Sequence, residues 1–224
     1  MRIRAIATDY DGTLAVNGRA GDEALAALRR AQSAGYKLIL ITGREQKDLF
    51  RVLPDLSLFD LVVAENGALL YLPASCEEKM LCAPPPPELL AGLRGEGVAP
   101  LAIGRCIVAT MLPHESAVLR TFHELQLNWY VIRNRESIMM LPSGIDKGSG
   151  FKAALRELRL QGEQVLGIGD AENDLAFLRL CGRSVAVCNA LPDVKAAADE
   201  VTQGNSGAGV AEVVHQLLSG SFDR

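Results

Sequence analysis

The sequence predicts an α/β protein: a Rossmann-like parallel sheet core with helices on both faces, plus a small inserted α+β lobe. Three observations predict it. Short apolar runs alternate with helically spaced segments at both ends of the chain, the order that builds a parallel sheet covered on both faces. Polar clusters follow these runs, where open parallel sheets place their sites. In the middle, a proline run and closely spaced strand patterns break the alternation.

The elements follow in order. "IRAIAT" (3–8) reads as the first strand. "DEALAALRRAQSAG" (22–35) reads as a helix, with Leu25, Leu28 and Ala31 at helical spacing and Gly35 as the stop. "KLILIT" (37–42) is a strand, "EQKDLFRVLP" (45–54) a helix ended by Pro54, and "DLVVAENGA" (60–68) a third strand. Past the middle, "KGSGFKAALRELRLQG" (147–162) and "ENDLAFLRLCG" (172–182) are helical around the strand "QVLGIGD" (164–170). "RSVAVCN" (183–189) and "EVTQ" (200–203) read as further strands, with helices in "PDVKAAAD" and "GVAEVVHQLLS".

In the middle, "PPPP" (84–87) introduces a short helix, "ELLAGLRGEG". "RCIVATML" (105–112), "WYVIRNR" (129–135) and "SIMMLP" (137–142) read as antiparallel strands, the last two joined as a hairpin, with a helix in "HESAVLRTFHELQL" (114–127). These segments form a lobe at 73–145 between core segments 1–72 and 146–224. Trp129, Tyr130, Met139 and Met140 are expected to fill its core, the alternative being that some line a substrate cleft; Arg133 and Arg135 are expected in solvent, the alternative being that one reaches an anionic substrate.

Composition narrows the function classes. The 224 residues are 49% hydrophobic and 22% charged, a globular balance in a chain long enough for a core and a lobe. Net charge is −4 and no Lys/Arg tract stands out, which argues against a nucleic-acid partner. The apolar runs fall far short of the roughly 20 residues that cross a bilayer, so no membrane partner is expected. The opening "MRIRAIATDYDG" enters a motif at once, with no room for a secretory leader. Five cysteines without a CxxC pair point to reduced thiols and a cytoplasmic location rather than a zinc site. Oligomeric state is not legible.

Five strand ends carry the chemistry: Asp9-Tyr10-Asp11, Thr42-Gly43-Arg44, Glu65-Asn66-Gly67, Gly169-Asp170 with Asn173 and Asp174, and Asn189. In a parallel sheet they share one edge. Taken singly, Thr42 reads as a helix N-cap, Lys147 as a solvated helix residue, and Asn66-Gly67 as a tight turn. Together they read otherwise. Asp9, Asp11, Asp170 and Asp174 would repel one another unless a hard divalent cation lies between them, and Mg²⁺ prefers such oxygen ligands. Lys147 and Thr42 add donors for an anion, a set suited to phosphoryl transfer. Asp9 is then the candidate nucleophile and Asp11 the acid/base. Thr42 and Lys147 hold the phosphoryl oxygens; Gly43, Arg44, Asn66 and Asn173 complete the substrate set, and Asp170 and Asp174 serve the metal.

These residues resemble the haloacid dehalogenase superfamily. "DYDGT" (9–13) matches its DxDGT signature, "ITGR" (41–44) the second motif, Lys147 in "PSGIDKGSG" the third, and "GDAEND" (169–174) the GDxxND form of the fourth. The lobe between the second and third motifs is similar to the type IIB cap of the Cof-like subgroup, short for its sugar-phosphate members and closer in size to that of archaeal-type phosphoglycolate phosphatases. The resemblance implies a Mg²⁺-dependent phosphatase acting through an aspartyl-phosphate on a small phosphorylated metabolite, of the phosphoglycolate or sugar-phosphate class. The alternatives are a phosphomutase of the same chemistry and, from another class, a receiver-like or non-catalytic phosphate-binding module. Asp11 speaks against a receiver, which must keep its phosphoryl group.

Overall fold

The computed structural model of the protein describes residues 2–134 and 136–222, so Arg135 lies outside the described residues. In chain order the strands are β1 (Ala5–Asp9), β2 (Ala15–Val16), β3 (Arg19–Ala20), β4 (Lys37–Ile41), β5 (Leu61–Ala64), β6 (Leu69–Leu72), β7 (Glu77–Met80), β8 (Ala102–Ile103), β9 (Val108–Met111), β10 (Trp129–Asn134), β11 (Ser137–Pro142), β12 (Val165–Gly169), β13 (Arg183–Ala186) and β14 (Glu200–Val201). The helices are α1 (Asp22–Ser33), α2 (Gln46–Val52), α3 (Pro87–Gly95), α4 (Glu115–Glu124), α5 (Lys147–Leu158), α6 (Leu175–Leu178), α7 (Pro192–Ala197) and α8 (Ser206–Leu218).

The main sheet runs β14-β13-β12-β1-β4-β5-β6-β7, parallel from β14 to β5 and antiparallel across β6 and β7. The central strands read as unbroken apolar runs because both faces are covered; Ile39, Leu40 and Ile41 are fully buried. On α1 the buried stripe is Ala24, Ala27, Leu28 and Ala31, with Leu25 only half-buried. Small alanines let this helix lie close against α8 and the sheet.

Two features differ from the sequence reading. The antiparallel hairpin β6–β7 extends the main sheet, so residues 77–80 belong to it and the chain leaves only after Met80, beyond the division drawn at residue 72. "EEKM" has no alternating pattern, because β7 is an exposed edge strand with little to bury. The helix read over 172–182 is a single 3₁₀ turn followed by the short α6.

The smaller sheet, β10-β11-β9-β8, is antiparallel. Alternation along its strands makes two faces. Val108, Met140, Trp129 and Val131 pack under α3 and α4 with Leu89, Leu93, Val118 and Phe122. Ile107, Met139, Leu141, Tyr130 and Ile132 lie on the opposite face, which meets Ala68 of the main body. The four residues expected to fill one lobe core are therefore divided between two faces.

Helix α5 is fixed at both levels. Asp146 caps it by accepting from the Ser149 N–H at 2.7 Å, while the Asp146 N–H donates to the Ser149 hydroxyl at 2.9 Å, a reciprocal cap that places Lys147 at the first helical position. One turn on, Phe151 meets Phe177 edge-on at 5.9 Å, both fully buried. Phe151→Ala is expected to lower unfolding stability by about 3–5 kcal/mol, because the cavity between α5 and α6 cannot collapse onto a rigid sheet; denaturant titration measures it.

Candidate active site

The parallel strands end on one edge, and the register brings their polar ends together. Asp9 closes β1 opposite Ile41, the last residue of β4. Thr42 follows Ile41, and Asp170 follows β12, the other neighbour of β1. Lys147 reaches the same point from the start of α5. Its Nζ lies 2.6 Å from Asp9 Oδ1 and 2.6 Å from Asp174 Oδ1, and all three residues are buried. Asp174 also receives the N–H groups of Asp170 and Ala171 on Oδ2, both at 2.9 Å. Asp174 thus holds the lysine with one oxygen and the fourth-motif backbone with the other.

Asp170 accepts a hydrogen bond from the Thr13 hydroxyl at 2.7 Å. Gly12 makes this possible: its φ is +92°, and a Cβ there would lie 2.2 Å from Asp170 Oδ2. Thr13 was legible as part of the DxDGT stretch, but its partner was not, since the two are far apart in sequence.

The electrostatics follow from burial. Asp9 titrates well above the ordinary carboxylate range, first because it is desolvated, then because Asp174 and Asp170 repel its charge; Lys147 opposes the shift. Burial also raises Asp170, against the Thr13 hydrogen bond, and Asp174 adds to the rise. Burial disfavours the ammonium of Lys147, yet Asp174 and Asp9 outweigh it and hold the lysine charged. Ligand oxygens of Asp9, Asp170 and Asp174 lie within 4.8 Å of one another. Lys147 engages Oδ1 of Asp9 and Thr13 engages Oδ1 of Asp170, which leaves Oδ2 of each as a hard oxygen donor. Three carboxylates thus converge, two of them on the Lys147 ammonium, and this donor set fits a divalent cation.

The remaining predicted residues fall into two groups. Asn66 is fully buried: its N–H donates to the Thr42 carbonyl at 3.1 Å, and its Oδ1 accepts from Asn173 Nδ2 at 3.1 Å. Gly43 lies against the Asn66 amide. The buried Thr42 hydroxyl accepts from the Arg44 N–H at 3.1 Å. Thr42, Gly43, Asn66 and Asn173 therefore form one connected wall. Asp11 and Arg44 form a second group. Arg44 grips Asp11 through Nε and Nη2 at 2.6 and 2.7 Å, pairs with Asp48 as well, and lies 5.6 Å above the Tyr10 ring. The Asp11 hydrogen bond raises the guanidinium above its ordinary value. The Asp11 carboxylate thus points at Arg44, outside the Asp9–Asp170–Asp174 trio. Asn189 ties the first-motif loop to α8: it donates to the Gly12 carbonyl at 2.8 Å and accepts from the Ser206 N–H at 2.6 Å.

An acidic, lysine-bearing site at the carboxyl edge of a parallel sheet, beside an inserted antiparallel lobe, is an arrangement suited to an α/β enzyme of phosphoryl transfer. The sequence profile of haloacid dehalogenase-like hydrolases matches residues 6–85 and 111–214. A phosphoglycolate phosphatase of Pyrobaculum aerophilum is 33% identical over 98% of this chain and 98% of its own. Phosphoglycolate phosphatase 2 of Saccharolobus solfataricus is 31% identical over 98% of this chain and 94% of its own. Among solved structures, a haloacid dehalogenase-like hydrolase from Bacteroides thetaiotaomicron superposes with a TM-score of 0.81 at 22% identity, over 96% of this chain and 100% of that one. A subclass IIB sugar phosphatase superposes at 0.76 and 21% identity, over 95% and 98%. The chain belongs to the haloacid dehalogenase-like hydrolase family, and it is a phosphatase.

Proposed function

We propose that the protein hydrolyses a small phosphate monoester, of the phosphoglycolate or sugar-phosphate class, with Mg²⁺ as cofactor and Asp9 as nucleophile. The observation that carries this reading is the buried contact of Lys147 with Asp9, 2.6 Å long, at the carboxyl end of β1. Lys147 opposes the rise that burial imposes on Asp9 and, through its contact with Oδ1, orients the carboxylate towards incoming phosphorus. An Asp9 carboxylate oxygen attacks, the ester P–O bond breaks, and an aspartyl-phosphate forms on Asp9. Asp11 gives its proton to the leaving alkoxide, then takes one from the water that cleaves the acyl phosphate and restores Asp9. To do so its side chain turns from Arg44. Thr42, Asn66 and Asn173 line the phosphoryl oxygens' side, and Lys147 offsets their charge.

Asp9 and Asp170 would hold the Mg²⁺, with Asp174 holding Lys147 and the Asp170 loop in place. When bound, the ion supplies positive charge against the phosphoryl oxygens. Residues 73–145, less the β7 strand, serve as the cap that excludes water and selects the leaving group. All five cysteines are free thiols, which suits a reducing cytoplasm. Among the described residues no helix is long and apolar enough to cross a membrane.

The test is phosphate release from 2-phosphoglycolate, a panel of sugar phosphates and an aryl phosphate, with and without Mg²⁺. EDTA is expected to stop release and added Mg²⁺ to restore it. Release that proceeds unchanged in chelator would overturn the assignment.

A further inference from the structure

Glu65 is used by none of the contacts that bind Asp9, Lys147 or Asp174, yet it is almost fully buried, in the loop after β5, with φ at +53°. Its donors all come from the other lobe. Oε1 accepts the N–H of Arg105 at 2.8 Å, and Oε2 accepts those of Cys106 at 2.8 Å and Ile107 at 3.2 Å. The approach is close enough that Gly104 is required: a Cβ there would lie 2.6 Å from Oε1 and 2.7 Å from Oε2. A buried carboxylate is costly unless hydrogen-bonded, and bonds to a charged acceptor are the strong ones. Glu65 is therefore satisfied only while segment 104–107 is seated on it.

The same loop grips the catalytic edge. The Glu65 N–H donates to the Arg44 carbonyl at 3.0 Å. The next residue, Asn66, joins Thr42 and Asn173 and donates to Met139 Sδ at 3.0 Å. Met139 sits on the body-facing side of the small sheet, paired with Ala109 and Ile132. One loop thus fixes the second and fourth motifs on one side and the lobe on the other.

We propose that Glu65 is a positioning residue: its carboxylate seats segment 104–107 over the acidic site and thereby sets how Met139 and its neighbours face the leaving group. The proposal rests on reading the lobe as the cap of a phosphatase.

Two variants test it from opposite sides, Glu65→Ala in the main body and Gly104→Ala in the lobe, the second covering the case in which the first fails to fold. Hydrogen exchange of the Arg105, Cys106 and Ile107 amides is expected to speed up about tenfold or more in each, the factor that one charge-assisted hydrogen bond commands. Amides of Ile39–Ile41 should keep the parent rate. KM for 2-phosphoglycolate is expected to rise about tenfold, while the inhibition constant of inorganic phosphate, which has no leaving group, stays within about twofold. Glu65→Gln, which keeps one acceptor oxygen, should fall between. Parent exchange rates at 105–107 in both alanine variants would overturn the proposal, and so would KM and the phosphate constant rising together. A parent protein that releases no phosphate from any ester overturns the phosphatase reading and the kinetic role with it; the exchange rates still decide the seat by themselves.

Discussion

Asp9→Asn is expected to lose on the order of 10⁴-fold or more in turnover, the scale seen when a covalent nucleophile is removed, without losing stability in chelator. The two effects have one cause. Asp9 is buried among Asp174 and Asp170, and its carboxylate titrates well above the usual range. Its charge therefore opposes folding when no cation lies beside it. The folded state holds the Asp9 proton to higher pH than the unfolded chain, so this residue's contribution to stability falls as pH rises from near 3.8 through the raised folded value. Asparagine removes that dependence. In EDTA, the parent's melting temperature should decline from acid towards neutral pH more steeply than the variant's, and at neutral pH the variant should melt as high or higher. A variant that melts far below the parent at neutral pH would show that the Lys147 contact outweighs desolvation and repulsion.

Lys147→Ala should do the opposite. It removes the ammonium that touches both Asp9 and Asp174 and leaves buried carboxylates facing one another. Breaking a buried pair from one side costs about 3–5 kcal/mol. In a chain of this length each kcal/mol moves the midpoint by roughly 2–4 °C, so the loss is readily seen by calorimetry in chelator at neutral pH. Turnover should vanish with it. Acidification, which neutralises the carboxylates, should recover part of the stability. Lys147→Arg should keep the charge without restoring activity, because a planar guanidinium cannot place one nitrogen between the two oxygens as the ammonium does.

Much of this was legible in the residues. Parallel strands such as "KLILI" read as strands because both faces are buried, and "DYDGT" and "GDAEND" announced the acidic edge through their own spacing. Lys147 was read at the head of its helix; the cap that fixes it there, Asp146 with Ser149, is seen in the structure. The misses have physical causes. β7 carries two glutamates and a lysine on an exposed edge, so it has no hydrophobic period to detect. The carboxylates of Asp11 and Asp170 lie close to their neighbours in the motifs, but their directions are set by Arg44 and Thr13, residues distant in the chain. Glu65 stood out only as part of a polar strand end; its contact with the lobe gave no signal, because its partners are backbone N–H groups, which every residue type supplies alike.

The chain leaves and rejoins the main body at a single point. The Leu81 N–H donates to the Ala68 carbonyl at 2.8 Å, and the Asp146 carbonyl is packed against Gly67, one residue away. An excursion anchored so narrowly imposes no spacing on the strands that carry Asp9, Lys147 and Asp170. Away from segment 104–107 and Met139, which Glu65 and Asn66 hold, segments can lengthen, shrink or be exchanged within it while the chemistry below stays in register. The stretch 86–110, outside the residues the family profile matches, lies wholly inside that excursion.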